Sequence, residues 1–288
     1  MEGLINQKFT TNIKPEICII IVDNDAEGSA KVICNEFIER YDINLKYDIE
    51  KQRGIPIARN HSIDMVEENT DFIAILDDDE VPAEDWLDEF ITAQEEFDAD
   101  ILTGPVKAHF VDCSDEWLKS FFGSGNLPNG HNLNKDYNFV YTSNLFAKAT
   151  LFQHIRFDER FRFTGGSDTH LFMQINNNGY KVVWAARALV TEWLPPSRTN
   201  IKWILLRAYR LGNGFAFCEL VQHPSPVTRI QRLAKGVFRL TQGLLTGIVS
   251  IGRKIQFIRG IQTACLGIGM ITGSFGSTYQ EYQTIHRV

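Results

Sequence analysis

The stretch Phe72-Ile73-Ala74-Ile75-Leu76-Asp77-Asp78-Asp79-Glu80 decides how the chain reads. Five apolar residues run straight into four acids. Such a run is the pattern of a buried strand that stops abruptly in a polar site. Side chains alternate across a strand, so Asp77 and Asp79 are expected on one side and Asp78 on the other. Two carboxylates at a strand's carboxyl end form a hard-oxygen site for Mg²⁺ or Mn²⁺, which keep several waters and are completed by substrate phosphates. Pro82 is expected to open a helix over 83–87, with Glu84 and Asp85 in its first turn. A solvated acidic turn is the plainer alternative. The position favours a site, because open α/β sheets bind ligands beyond the carboxyl ends of their strands.

Upstream, Glu16 to Val22 is a β-branched run typical of a strand buried on both faces. It ends in Asp23-Asn24-Asp25, again carboxylates at a strand's end. Ala30, Ile33, Phe37 and Tyr41 follow at helical spacing. Residues 44–49 alternate as a more exposed strand. Gly54-Ile55-Pro56 leads into a helix that carries Arg59 and runs to about residue 68. This βαβαβ alternation implies a parallel sheet with right-handed crossovers. It gathers Asp23, Arg59 and Asp77–Asp79 at one edge. Arg59 there is suited to stacking on or bonding a base, or to neutralising phosphate. A salt bridge to Asp64 or Glu67 is the structural alternative.

The 288 residues suffice for one large domain or a domain with an appendage. The net charge of −7 conceals an asymmetry. Residues 1–180 carry 15 Lys and Arg against 33 Asp and Glu, while 181–288 carry 14 against 3. An acidic body is followed by a basic, apolar tail, which suits an anionic surface or the acidic body itself. Five scattered cysteines with no CxxC spacing argue against a zinc site or a disulfide framework and fit a reducing cytoplasm. No signal peptide is visible.

The order of these stretches resembles family 2 glycosyltransferases of GT-A fold, and within them bacterial exopolysaccharide enzymes of the succinoglycan kind. It is carried by Val22-Asp23-Asn24-Asp25, by Gly54-Ile55-Pro56-Ile57-Ala58-Arg59-Asn60 and by the acidic stretch through Leu87. It continues in Thr142-Ser143-Asn144, Phe163-Thr164-Gly165-Gly166-Ser167-Asp168 and Gly179 to Trp184, covering roughly residues 15–215. The resemblance implies a mostly parallel, Rossmann-like sheet flanked by helices over 1–222, and the change of composition after Pro226 marks 223–288 as a basic, helical C-terminal extension. The resemblance also implies an inverting, metal-dependent transfer from a UDP-sugar to a saccharide or lipid-linked acceptor, with no nucleic-acid partner.

By the same resemblance Asp23 and Arg59 hold the uracil, Asp77 and Asp78 lie along the donor nucleotide, and Asp79 ligates Mg²⁺ or Mn²⁺. Asp168 is the catalytic base. The family shows an acid before this base, where this chain has Ser167. Family members also begin with an earlier strand and helix. Residues 2–9 look like the tail of that helix, so the chain is expected to lack about 25 residues and to bind UDP weakly. A non-catalytic scaffold is therefore the competing class. A nucleotidyltransferase is less favoured, since no Gly-rich phosphate loop follows the first strand.

Asn144, His170, Arg207 and Arg210 are candidate acceptor or phosphate contacts, the two arginines three apart on one helix face. The alternatives are that Asn144 bonds backbone, that Asp168 caps a helix, and that each arginine pairs with the acidic body. Residues 123–134, rich in Gly, Asn and Pro, read as a mobile loop or a plain surface connection. Residues 227–276 mix aliphatics with Arg and Lys, and no apolar run reaches the roughly 20 residues of a bilayer span. Basic amphipathic helices of this kind read as peripheral membrane anchors at the inner face of the cell membrane. A hairpin packed on the domain is the alternative.

Overall fold

The structure is a computed structural model, described for residues 1–10, 14–112, 115–123, 125, 127–134 and 140–280. The chain divides into two compact units. The first comprises 1–109, 124–162 and 174–193; the second comprises 110–123, 163–173 and 194–288.

The first unit begins with the short α1 (Glu2–Ile5), then β1 (Ile19–Asp23), α2 (Lys31–Tyr41) and β2 (Leu45–Ile49). β1 and β2 pair in parallel, Ile19 opposite Leu45 and Asp23 opposite Ile49, as the βαβ pattern requires. Next come α3 (Ile55–Asp64), β3 (Phe72–Leu76), β4 (Glu80–Pro82), α4 (Trp86–Phe97), β5 (Ile101–Thr103) and β6 (Val106–Phe110).

Three local expectations shift here. Pro82 ends β4 instead of opening a helix, because Glu80–Pro82 pair antiparallel with Val190–Glu192 and the Ala83 amide bonds Leu189 O. α4 therefore starts at Trp86, with Asp88 and Glu89 as the acids of its first turn. β1 is half-buried along its whole length, not buried on both faces. Among the described residues it has one strand neighbour, β2, so one edge and part of each face lack cover.

β7 (Asn144–Lys148) lies between β3 and β5, and β8 (Val182–Trp184) completes the order β3-β7-β5-β8. β7 runs antiparallel to both neighbours, while β5 and β8 are parallel. A third sheet is ordered β4-β9-β6, with β9 spanning Val190–Leu194. The α/β layering is as expected; the mostly parallel sheet is not, and β3 does not join β1 and β2. The cause is β7, which enters the sheet from its opposite end. An apolar run records burial but not direction.

The core of this unit sits under β7. Phe146 stacks on Phe72 at 4.8 Å and on Phe90 at 5.3 Å, and Trp86 meets Phe90 edge-on at 5.5 Å. Residues 127–134 are strapped to β8 by Gly130 N to Trp184 O and Leu133 N to Val182 O, and Leu133 is buried. Ser124 and Asn126 of the expected loop lie outside the described residues.

The second unit contains α5 (Glu116–Lys119), the start of α6 (Ser167–Asn177), and the long helices α7 (Ile201–Gln222), α8 (Pro226–Val249) and α9 (Lys254–Ser274). Asn200 and Ser225 cap α7 and α8 through bonds from the amides of Trp203 and Thr228. The three helices pack through glycines. A Cβ on Gly243 would lie 2.3 Å from Ala264 N, one on Gly267 2.4 Å from Leu240 N, and one on Gly269 2.0 Å from Tyr209 O. Backbones this close admit no side chain between them. No helix among the described residues is long and apolar enough to cross a membrane.

Candidate functional site

At the end of β1, Asp23 ties down its own loop. Its Oδ1 accepts from Asp25 N at 2.9 Å; its Oδ2 accepts from Ala30 N at 2.8 Å and the Tyr47 hydroxyl at 2.9 Å. Burial pushes this carboxyl up, but the amides of Ala30 and Asp25 and the Tyr47 hydroxyl outweigh it and hold it below the ordinary value of 3.8. Tyr47 is in turn pushed up to about 12, by burial first and then by Asp23. The loop turns at Gly28, whose φ of 68° is left-handed and whose Cβ would lie 2.6 Å from Ile49 Cδ1.

Asn24, quoted in the sequence but given no role there, connects the end of β1 to α3. Its amide donates to the carbonyls of Glu50 and Gln52 at 3.0 Å, and its oxygen accepts from Gly54 N at 2.7 Å. Gly54 sits at φ 149° before Pro56 in the first turn, which sets the start of α3.

α3 then presents Arg59. The guanidinium donates to Asp77 Oδ1 at 2.7 Å and to Thr142 Oγ1 at 2.7 Å, and lies 5.4 Å from the Phe157 ring centre. Arg59 is thus ion-paired, but with the acidic stretch, not with Asp64 or Glu67. Asp64 pairs instead with Arg156, and Glu67 with Lys46.

Beyond β3, Asp77–Asp79 form a turn, with Glu80 N bonded to Asp77 O. Asp78 is exposed while Asp77 and Asp79 are half-buried, the split expected of the stretch. The carbonyl of Asp79 accepts from Trp193 N, anchoring the turn to β9. Glu80 is buried, and its Oε2 has no hydrogen-bond partner. Burial, then the charges of Asp77, Asp79 and Glu192, raise its carboxyl to about 8 against a lowering bond from Ser143. Sequence reading gave Glu80 and Glu192 no role, although Glu80 closes the motif itself.

Among the described residues, no group of three or more His, Cys, Asp or Glu side chains converges as a ready metal cage. The donor set nevertheless suits a hard divalent ion. Mg²⁺ commonly takes one or two carboxylates plus substrate phosphates, and the orphaned Glu80 oxygen lies beside the carboxyls of Asp77 and Asp79.

Thr142 and Ser143 reach this cluster, the first through Arg59 and the second through Glu80. Asn144 does not. It is fully buried; its Oδ1 accepts from Trp86 Nε1 at 2.8 Å, and its amide donates to Pro105 O at 3.0 Å and Ala188 O at 2.8 Å. Its role as an acceptor contact is corrected: those bonds occupy the amide inside the core, where no acceptor reaches.

In the second unit, Gly165 and Gly166 turn the chain at φ 72° and 89° into α6. Asp168 is half-buried in the first turn of that helix, where its charge complements the helix N-terminus. Its Oδ1 accepts from Ser167 Oγ at 3.2 Å. His170, two residues further along α6, is buried. Arg207 and Arg210 are half-buried on α7, and the Arg207 guanidinium lies 5.1 Å from the Trp203 ring centre.

The structure therefore brings Arg59, Asp77, Asp79 and Glu80 into one group, with Glu192 beside it and Thr142 and Ser143 as its polar supports. Asp23 stands at the end of β1, coupled to α3 through Asn24.

Known proteins resemble this chain in family and in fold. The succinoglycan biosynthesis protein ExoM of Rhizobium meliloti is 29% identical over 196 residues, covering 67% of this chain and 62% of that protein. The minor teichoic acid biosynthesis protein GgaB of Bacillus subtilis is 24% identical over 187 residues, 59% of this chain and 18% of that one. The chain thus spans less than two thirds of the length of these relatives. The crystal structure of S. aureus TarS 1-349 in complex with UDP superposes with a TM-score of 0.52 at 13% identity, over 97% of this chain and 87% of that one, a likeness of fold. The model of glycosyl transferase family 2 matches residues 1–159, more than half of the sequence, and the chain belongs to that family.

Proposed function

We propose that the chain transfers a sugar from a UDP-sugar to a saccharide or lipid-linked acceptor in the synthesis of a cell-surface polysaccharide, with inversion and with Mg²⁺ or Mn²⁺. The observation that carries this reading is the group of acids after β3, tied to Arg59 through Asp77 and holding a buried carboxylate oxygen without a partner. The names of the succinoglycan and teichoic acid relatives support the product class, and the TarS complexes with UDP and UDP-GlcNAc support the donor class.

In this reading Asp23 takes the uracil N–H on Oδ1, which accepts one bond from its own loop. Arg59 holds the base from α3, and Asp77 and Asp78 lie along the donor nucleotide. Asp79, with Glu80 near it, holds the cation. When bound, that ion neutralises the diphosphate and stabilises its charge as it leaves. Asp168 takes the proton of the acceptor hydroxyl while the oxygen bonds the anomeric carbon, and the breaking bond's electron pair leaves with UDP. His170, Arg207 and Arg210 belong to the acceptor or phosphate side. The division into a GT-A domain over 1–222 and a basic helical region over 223–288 goes with this reading. That region makes peripheral contact at the inner face of the cell membrane.

The test is UDP release from a panel of UDP-sugars with Mn²⁺ or Mg²⁺ and saccharide acceptors. Asp168→Asn is expected to lower turnover by about a hundredfold or more while leaving UDP binding in place. Asp79→Asn is expected to abolish the metal dependence. Full turnover in the Asp168 variant would remove that residue as the base. No turnover with any donor would remove the reading.

A further inference from the structure

α8 is turned inside out for a helix in water. The face it buries holds Gly236, Gly243 and Gly247 together with Arg232. Its large apolar side chains point away: Ile230, Val237, Phe238, Leu245, Ile248 and Val249 are 51–82% exposed. These positions recur at helical spacing along one face. The hydrophobic effect in water favours the reverse arrangement, with large side chains against the partner helix. Small residues inside and large apolar residues outside are the packing of helices whose surroundings are apolar. Thr241 lies in the same stripe, and its hydroxyl bonds the carbonyls of Val237 and Phe238 on its own helix, so it presents no unsatisfied polar group outward.

Charge says what those surroundings are. Between residues 193 and 280 the sequence has one acid, Glu219, and Arg232 pairs with it. α8 and α9 with their connection carry seven Arg and Lys and no Asp or Glu. Arg229, Lys235 and Arg239 on α8 are exposed, as are Arg253 and Lys254 at the hairpin's tip. Two copies meeting through this face would bring these cations together with no acid on either to offset them. An anionic lipid surface offers the complement to both features. No helix among the described residues is long and apolar enough to cross a bilayer, and an apolar stripe flanked by cations is the pattern of a helix that lies on the surface.

We propose that the outward stripe of α8 is the membrane-contacting surface of this chain, seated in the interface of an anionic bilayer with Lys235, Arg239 and the hairpin's tip on its headgroups. This deepens the peripheral contact proposed above by assigning the face that makes it, and it rests on helix packing and charge rather than on sugar transfer.

The experiment is flotation of the full chain with vesicles of phosphatidylcholine mixed with phosphatidylglycerol, and with phosphatidylcholine alone. The variants are Phe238→Gln/Leu245→Gln and Lys235→Gln/Arg239→Gln. All four side chains are exposed, so thermal unfolding checks that each variant folds like the parent. The parent is expected to float with the anionic vesicles and far less with the neutral ones. The apolar pair is expected to lower partitioning by about tenfold or more, and the charge pair to lower it on anionic vesicles alone. A parent that stays unbound overturns the proposal. So does flotation unaltered by the apolar pair, or a dimer in solution that the same pair dissociates. UDP release with a soluble acceptor is measured in parallel. Its absence alongside normal flotation counts against the proposed transfer only, and lost flotation with intact transfer counts against this surface only.

Discussion

Arg59 on α3 and Asp77 at the end of β3 are joined by a 2.7 Å hydrogen bond, and the other arm of the guanidinium reaches Thr142 at the same distance. One side chain thereby spans three segments. The positive charge offsets one of the clustered acids, and its geometry fixes where the acidic turn stands.

Arg59→Ala is accordingly expected to lower stability by about 1–2 kcal/mol, a figure held down because Asp77 is 40% exposed and screened. Arg59→Lys recovers less than half, since a single ammonium cannot hold both partners in the fork geometry. Urea unfolding of the three proteins checks the order, and equal midpoints for Lys and Arg would remove the geometric argument.

Glu80→Gln removes a buried carboxyl whose pKa, raised to about 8 by burial and by Asp77, Asp79 and Glu192, makes it take up a proton on folding at neutral pH. Near neutral pH and without divalent ions it is expected to raise stability by about 1 kcal/mol, because Gln fills the desolvated site without taking up a proton. Added Mn²⁺ is expected to narrow that difference, because the ion stabilises the parent more. Thermal unfolding with and without Mn²⁺ measures both.

The Asp23 carboxyl has its folded pKa below the ordinary 3.8, so it contributes stability that is complete above that value. The contribution is lost as pH falls through the folded pKa. The stability gap between the parent and Asp23→Asn is therefore expected to be widest near neutrality and to close in acid below 3.8. The partner Tyr47 works in the opposite sense at the other end, keeping its proton until pH rises to about 12. Urea midpoints of both proteins across pH test this, and a gap that widens in acid would contradict it.

Asn144→Ala is expected to cost about 3 kcal/mol, since it strands the buried Trp86 N–H and the buried Ala188 carbonyl and takes one of two bonds from Pro105 O. Asn144→Asp costs more, because a carboxylate cannot donate to Pro105 O and Ala188 O. Calorimetric unfolding reads both. Normal KM values for donor and acceptor are expected in whatever fraction folds.

Two glycines one turn apart on α8 are expected to behave oppositely. Gly243→Ala places a Cβ 2.3 Å from Ala264 N and forces α8 and α9 apart, at a cost of about 1–3 kcal/mol. Gly247→Ala meets nothing within 4 Å and is expected to stabilise the helix by up to about 1 kcal/mol. Paired thermal unfolding curves decide it.

Local sequence pattern alone placed the acidic stretch, β2 and β3 to within a residue or two and β1 and α2 to within three, and it pointed to the family. These follow from local periodicity and from an order of short motifs, both of which survive without knowledge of neighbours. It also marked 227–276 as basic and apolar. That β7 runs against β3 and β5 is visible only in the packed fold. It alone showed that Arg59 pairs with Asp77 and not with an acid on its own helix. It alone turned Thr142 and Ser143 toward the acidic group and Asn144 into the core. It alone showed that α8 buries its glycines and exposes its aliphatics. The reason is common to these cases. Strand direction, the choice of an ion partner and the face a helix hides depend on groups distant along the chain, 83 residues for Arg59 and Thr142, and a local pattern records that a side chain has a face without recording what that face will meet.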